Sequence, residues 1–280
     1  MTESNFAARL ARAMHDHDSL VCVGLDPEPE KFPPALQKSP HAIFEFNRAI
    51  VDATADLVCA YKPQIAHYAA LAAEDQLADT IAYIRERAPG VPVILDSKRG
   101  DIGSTAEKYA YEAFVRYGAD AVTINPYLGF DSAEPFLKYA DKGIVVLCRT
   151  SNKGAREFQD LEVGGRKLYQ IVAEHVAQKW NANGNCLLVV GATYPAELAD
   201  IRTRTGEMTF LVPGVGAQGG DVNLAVRSGM TKSGGGLVIN SSRGILYAGL
   251  GQSGSGDTFA AAARFATLEL RAAINAARRG

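Results

Sequence analysis

Eight short runs of apolar and β-branched residues recur along the chain, at 20–25, 57–62, 91–96, 121–124, 143–148, 185–190, 209–212 and 237–240. Each is apolar at consecutive positions rather than at every second one. That pattern suits strands buried on both faces of a parallel sheet. The segments between them carry helical patterning, over 42–56, 74–87, 105–117, 133–139, 166–180, 194–203, 221–228 and 258–276. Ser104 before Thr105, and Thr193-Tyr194-Pro195, read as helix-start signals. Phe6, Leu10 and Met14 recur every four residues and predict an amphipathic helix over about residues 3–16, packed on the body.

Eight strand–helix units within 280 residues predict an α/β fold, a (β/α)8 barrel, as a single domain over 1–280 with that N-terminal helix. An open doubly wound sheet is the competitor. It calls for a glycine fingerprint after the first strand, and Gly24-Leu25-Asp26-Pro27 is not one. The longest loops fall at 27–40, 152–165 and 249–256. The first two follow strands at their C-terminal ends, where barrel enzymes build their sites.

Composition adds limits. The chain is 47% apolar and 21% charged with a formal net charge of -2, so it has no electrostatic footprint for nucleic acid or an anionic membrane. No stretch approaches the ~20 apolar residues of a bilayer span, and the start lacks a signal-peptide core. Cys22, Cys59, Cys148 and Cys186 each sit in an apolar run with no C-x-x-C pair. They read as core residues of a protein in a reducing, cytoplasmic compartment.

Charged and polar residues gather at strand ends. The first strand runs into Asp26, the second into Lys62 and the third into Asp96 and Lys98, with Asp101 just beyond. The fifth runs into Arg149-Thr150-Ser151-Asn152, the seventh into PGVGAQGGD (213–221) and the eighth into NSSRG (240–244). Strand alternation predicts that Asp96 and Lys98 share the face toward the barrel mouth. A lysine between Asp96 and Asp101 is held as an ammonium by the neighbouring negative charge. The glycines around Gln218 let backbone N–H groups approach an anion, and Arg243 adds a planar cation suited to phosphate. Five histidines are present. His67 alone lies near this cluster, and none has metal-ligand company, so no metal is expected.

VILDSKRGDIGST (93–105), preceded by YKP and followed by PGVGAQGGD and SSRG, resembles the orotidine 5'-phosphate decarboxylase family, in its bacterial subgroup with longer loops. The resemblance runs from the first strand to the eighth. It implies a cofactor-free lyase that converts orotidine 5'-phosphate to uridine 5'-phosphate in pyrimidine biosynthesis, with Lys98 protonating carbon 6. Asp96 would face the substrate carboxylate. Asp101 and Thr105 would reach the site of the neighbouring subunit of a homodimer. Asp26 and Lys62 would bind ribose hydroxyls, and Ser151 the pyrimidine, with Thr150 and Asn152 as one-residue alternatives. Pro213 and Gln218 would contact the substrate, while Gly219, Gly220 and Arg243 would hold the phosphate.

One rival is a metal-dependent phosphosugar aldolase or decarboxylase of the same superfamily, such as 3-hexulose-6-phosphate synthase, which shares D-x-K-x-x-D. Its extra acidic ligands are missing: the first strand ends in Asp26 without a glutamate, and the second in Lys62. A catalytically dead barrel that senses a nucleotide is the other rival. It would be expected to lose part of the charged quartet, and all four members are present.

Overall fold

The eight apolar runs pair side by side in the computed structural model, which describes residues 5–215, 220–249 and 258–280. They form β1 (Val21–Leu25), β2 (Ala60–Pro63), β3 (Ile94–Arg99), β4 (Ala121–Ile124), β5 (Gly143–Arg149), β6 (Cys186–Val190), β7 (Phe210–Pro213) and β8 (Leu237–Ser241). Their order in the sheet is β2-β1-β8-β7-β6-β5-β4-β3, all parallel. Parallel bridges Tyr61–Val93 and Gln64–Asp96 join β2 to β3 and close the ring. This is the (β/α)8 barrel that the pattern predicts.

Why the runs are apolar at every position is visible in the packing. One residue from each strand points inward, giving a layer of Cys22, Ala60, Ile94, Ala121, Val145, Leu187, Leu211 and Val238. Their sequence neighbours, such as Val21, Tyr61, Leu95 and Val122, point outward against the helices. Both faces are therefore dry.

Helix α1 (Phe6–Asp16) covers the strands' N-terminal end, with Phe6 and Leu10 buried in the inward layer. A Cβ at position 143 would lie 2.5 Å from the Phe6 ring, so Gly143 leaves the space that Phe6 fills. Among the described residues the opposite end stays open, and the strand-end charges gather there.

The outer layer follows the predicted helices, with differences that have local causes. These are α2 (Ala42–Thr54), α3 (Ile65–Ala69), α4 (Glu74–Arg87), α5 (Gly103–Tyr111), α6 (Phe130–Leu137), α7 (Leu168–His175), α8 (Pro195–Thr205), α9 (Val222–Gly229), α10 (Arg243–Leu246) and α11 (Thr258–Arg279). Ser104 lies inside α5 rather than capping it. The carboxylate of Asp101 instead accepts the Ile102 N–H at 2.8 Å. Arg166 and Lys167, expected to be helical, pair antiparallel with Glu162 and Val163. Gly164 and Gly165 form that turn at φ +60° and +75°, the glycine pair of a tight hairpin. Helices α3 and α10 were not foreseen, being too short to show a 3.6-residue period.

Candidate active site

The site begins with an irregularity in β3. Leu95 pairs with Val122 of β4, and the next pair is Arg99 with Ile124. Three residues, Asp96, Ser97 and Lys98, thus stand opposite the single residue Thr123. Asp96 and Lys98 both face the barrel mouth as expected, but through this bulge rather than through simple alternation along the strand. Lys98 instead takes φ +48°, a left-handed backbone that costs a non-glycine residue on the order of 1–3 kcal/mol. The bulge turns the lysine back so that its Nζ donates to Asp96 Oδ1 at 2.7 Å.

From Asp96 a chain of alternating charge crosses to β2 and β1. Lys62 Nζ donates to Asp96 Oδ2 at 2.8 Å and lies 3.9 Å from Asp26 Oδ1. Lys62 is only 4% exposed and Asp96 only 7%. Burial by itself would push the Asp96 carboxyl up, but Lys62 and Lys98 together hold it well below the usual carboxylate range. Burial alone would likewise lower Lys62, and Asp96 and Asp26 outweigh it, holding the ammonium above the ordinary lysine range. Asp26 Oδ1 is buried and accepts no hydrogen bond from the described residues. Lys98, the outer end of the chain, is about half exposed (45% of its side chain).

These groups line one cavity of about 620 Å³ at the open end of the barrel, a size suited to a small-molecule ligand. Leu147, Val189 and Leu211 give it an apolar floor. The segment after β5 forms a wall through Ser151, Ala155 and Phe158. Gln159 locks the start of that segment, accepting the Thr150 N–H at 2.9 Å and donating to the Thr150 hydroxyl at 2.8 Å. Ser151 packs against the backbone at Gly191, where a Cβ would come within 3.0 Å of the serine Cβ.

Arg149 does not belong to the cavity, contrary to its place in the strand-end cluster. The register of β5 slips by one residue between Leu147 and Arg149. The guanidinium is turned into the helix layer, 1% exposed, where it holds Glu197 through two nitrogens and Asp160 at 3.3 Å. There it ties the segment after β5 to α8.

The structure brings Asp26, Lys62, Asp96, Lys98, Ser151, Pro213 and Arg243 onto this one cavity. Asp101 and Thr105 do not line it. Thr105 is exposed, and Lys98 is paired with Asp96 alone rather than lying between Asp96 and Asp101. Gly220 also lies off the lining, and its N–H donates to Gly214 O at 3.1 Å. Gln218 and Gly219 fall outside the described residues, as does most of the 249–256 stretch. His67 sits behind the mouth, its Nδ1 3.2 Å from Pro27 O. Sequence reasoning passed over Thr123, which lines the cavity, and marked Asn240 only as the start of NSSRG without a role of its own. The available signal was a lone polar residue in each of the apolar runs AVTI and LVIN. Among the described residues, no group of three or more His, Cys, Asp or Glu side chains is placed to hold a metal ion.

Known proteins resemble this chain in sequence and in fold. Residues 19–253 match the model of the family described as "Orotidine 5'-phosphate decarboxylase / HUMPS family". The chain is 62% identical over 274 residues to an orotidine 5'-phosphate decarboxylase of Azoarcus sp. (strain BH72), covering 98% of this chain and 100% of that one. It is 58% identical over 276 residues to the enzyme of that name from Cellvibrio japonicus (strain Ueda107), covering 98% of this chain and 99% of the other. Among solved structures, the OMP decarboxylase of Leishmania donovani superposes with a TM-score of 0.85 at 39% identity, covering 99% of both chains.

Proposed function

The chain belongs to the orotidine 5'-phosphate decarboxylase family, and we propose that its barrel mouth performs that reaction with Lys98 as the proton donor to carbon 6. It decarboxylates orotidine 5'-phosphate to uridine 5'-phosphate in pyrimidine biosynthesis. The observation that carries the residue assignment is the alternating chain Asp26–Lys62–Asp96–Lys98, whose outer lysine faces the cavity.

In the proposed mechanism the bond from carbon 6 to the carboxylate breaks and its electron pair stays on carbon 6. Carbon dioxide leaves, a proton passes from Lys98 Nζ to carbon 6, and solvent returns a proton to the lysine. Negative charge moves toward carbon 6 as the bond breaks, so an ammonium already fixed there is worth more in the transition state than in the ground state. Asp96, kept ionised by two lysines, anchors that ammonium and lies where the substrate carboxylate would meet it. Arg243, an exposed cation at the start of α10, takes the phosphate. Ser151 takes the pyrimidine, Pro213 lies beside it, and Gln218 and Gly219 complete the ring and phosphate contacts. Asp26 takes ribose hydroxyls, consistent with its unmatched buried oxygen.

We read the 280 residues as one barrel domain acting as a homodimer, with Asp101 and Thr105 serving the neighbouring subunit's site. Two features support the dimer. Both residues lie off their own cavity, and exposed apolar side chains flank them. Ile102, Tyr111 and Val115 follow β3, while Tyr127, Leu128 and Phe130 follow β4. A cluster of that kind is unusual on a surface meant to stay wet. No helix among the described residues is long and apolar enough to cross a membrane. With four buried free cysteines, the reading is a cytoplasmic enzyme.

The test follows the loss of orotidine 5'-phosphate absorbance with purified protein in excess EDTA. Turnover is expected for the wild type, and Lys98→Ala should lower kcat by roughly 10³-fold or more. Absence of wild-type turnover sinks the assignment, and turnover that dies with chelator favours the metal-dependent aldolase-type rival.

A further inference from the structure

We propose that Thr123, on β4, is a positioning residue for this reaction: its hydroxyl fixes the backbone of Lys98 and the carboxylate of Asp96 in the arrangement that presents the lysine to the substrate. The inference rests on the assignment of Lys98 as proton donor.

The β3 bulge creates the need. In a regular parallel ladder alternate β3 amides are met by β4 carbonyls, and the two residues added here remove that arrangement across Ser97 and Lys98. Their N–H groups would be left without partners. Thr123 Oγ1 accepts both, each at 2.9 Å. It also donates to Asp96 Oδ1 at 2.8 Å. A hydroxyl has two lone pairs and one hydrogen. Amides can only donate and a carboxylate can only accept, so the direction of all three bonds is fixed and the hydroxyl is saturated.

Two consequences follow from saturation. Thr123 lines the cavity but has no hydrogen bond left to offer a ligand, so it acts through its neighbours. And the same oxygen that holds the Lys98 amide at φ +48° also aims the Asp96 oxygen that Lys98 Nζ meets. Removing it frees both ends of the lysine at once: the main chain loses its acceptor, and the carboxylate is free to swing toward Lys62.

Thr123→Val keeps the branched shape and deletes the hydroxyl; Thr123→Ser keeps the hydroxyl. In the full-length protein, Thr123→Val should lower kcat by about 10²-fold, the scale expected for a misplaced catalytic group, with KM changed less than about 3-fold. Thr123→Ser should stay within about 5-fold of wild type. Combined with Lys98→Ala, Thr123→Val should cost almost nothing more, because groups acting as a unit are not additive. Amide exchange at Ser97 and Lys98 should quicken in the valine variant and not in the serine one. If the valine variant fails to fold, Thr123→Cys, a weak hydrogen-bonding substitute, carries the same expectations.

Wild-type kcat in Thr123→Val overturns the proposal. So does a serine variant as impaired as valine, a full extra loss in the Lys98→Ala background, or unchanged amide exchange. Failure of the underlying assignment looks different: Lys98→Ala would then turn over substrate normally.

Discussion

Lys62 and Asp96 form an ion pair across adjacent strands, Nζ to Oδ2 at 2.8 Å, with both side chains shielded from water. Neither charge can be removed without leaving the other in a dry environment. Replacement of Lys62 by methionine therefore should destabilise the protein by on the order of 2 kcal/mol, less than the full cost of stranding a buried charge because Lys98 still meets Asp96 at 2.7 Å. Urea unfolding at neutral pH checks this, and a loss under about 0.5 kcal/mol contradicts it. The pH dependence has a definite sign. The depressed Asp96 contributes stability that is present above the ordinary aspartate value of about 4 and is lost as pH falls through its lower folded value. The raised Lys62 contributes stability that is present below the ordinary lysine value of about 10 and is lost as pH climbs through its higher folded value. The difference between wild type and Lys62→Met should stay flat from about pH 5 to 9 and narrow in acid.

Asp101 stands off its own cavity while Lys98 lines it. In the proposed dimer, each site takes Lys98 from one subunit and Asp101 from the other. Lys98→Ala and Asp101→Ala are each expected to be inactive alone. Mixed under conditions of subunit exchange, half of the dimers are heterodimers, and each holds one site without a lesion. Activity should therefore return to about a quarter of wild type by this counting. A mixture that stays inactive while exchange is demonstrated by native mass spectrometry rules out the shared site.

Arg149 anchors the segment after β5 from behind, through Glu197, Asp160 and the faces of Tyr169 and Tyr194. Arg149→Met should leave Glu197 without its cation and Asp160 with Lys167 at 3.8 Å, and loosen the wall formed by residues 151–159. The expected result is faster limited proteolysis within 152–165 and a KM raised several-fold, with a smaller change in kcat. Unchanged proteolysis would show that Gln159 and Thr150 hold the wall unaided.

Gly24 owes its identity to the turn that carries Arg243. A Cβ there would fall 1.9 Å from Ser242 Oγ and 3.1 Å from Asn240 Oδ1. Gly24→Ala must push Ser242, and with it the start of α10. Because Arg243 is assigned to the phosphate, the loss should fall on substrate affinity, with KM rising by about tenfold, the scale of one weakened charge-assisted contact. Binding of uridine 5'-phosphate should weaken in parallel, whereas binding of uridine should not.

The fold was legible in the sequence because its signal is local. A strand dry on both faces must be apolar at every position, and eight such runs with helices between them admit few architectures. The strand-end residues Asp26, Lys62, Asp96 and Lys98 were legible for the same reason: each is a charge closing an apolar run at the end of its strand where the barrel opens. The hairpin at 162–167 was missed although its Gly164-Gly165 pair was in plain view.

What only the tertiary structure decided depends on partners far along the chain. Alternation along β3 predicted the right company for Lys98 but the wrong geometry. The bulge exists only in the register between β3 and β4, and its keeper, Thr123, lies 25 positions from Lys98. Arg149 looked like its neighbours at the mouth, and a one-residue slip against β6 sent it into the helix layer. A single strand carries its own pattern of burial. Which hydrogen bonds its backbone loses, and which side chain replaces them, is set by the strand beside it.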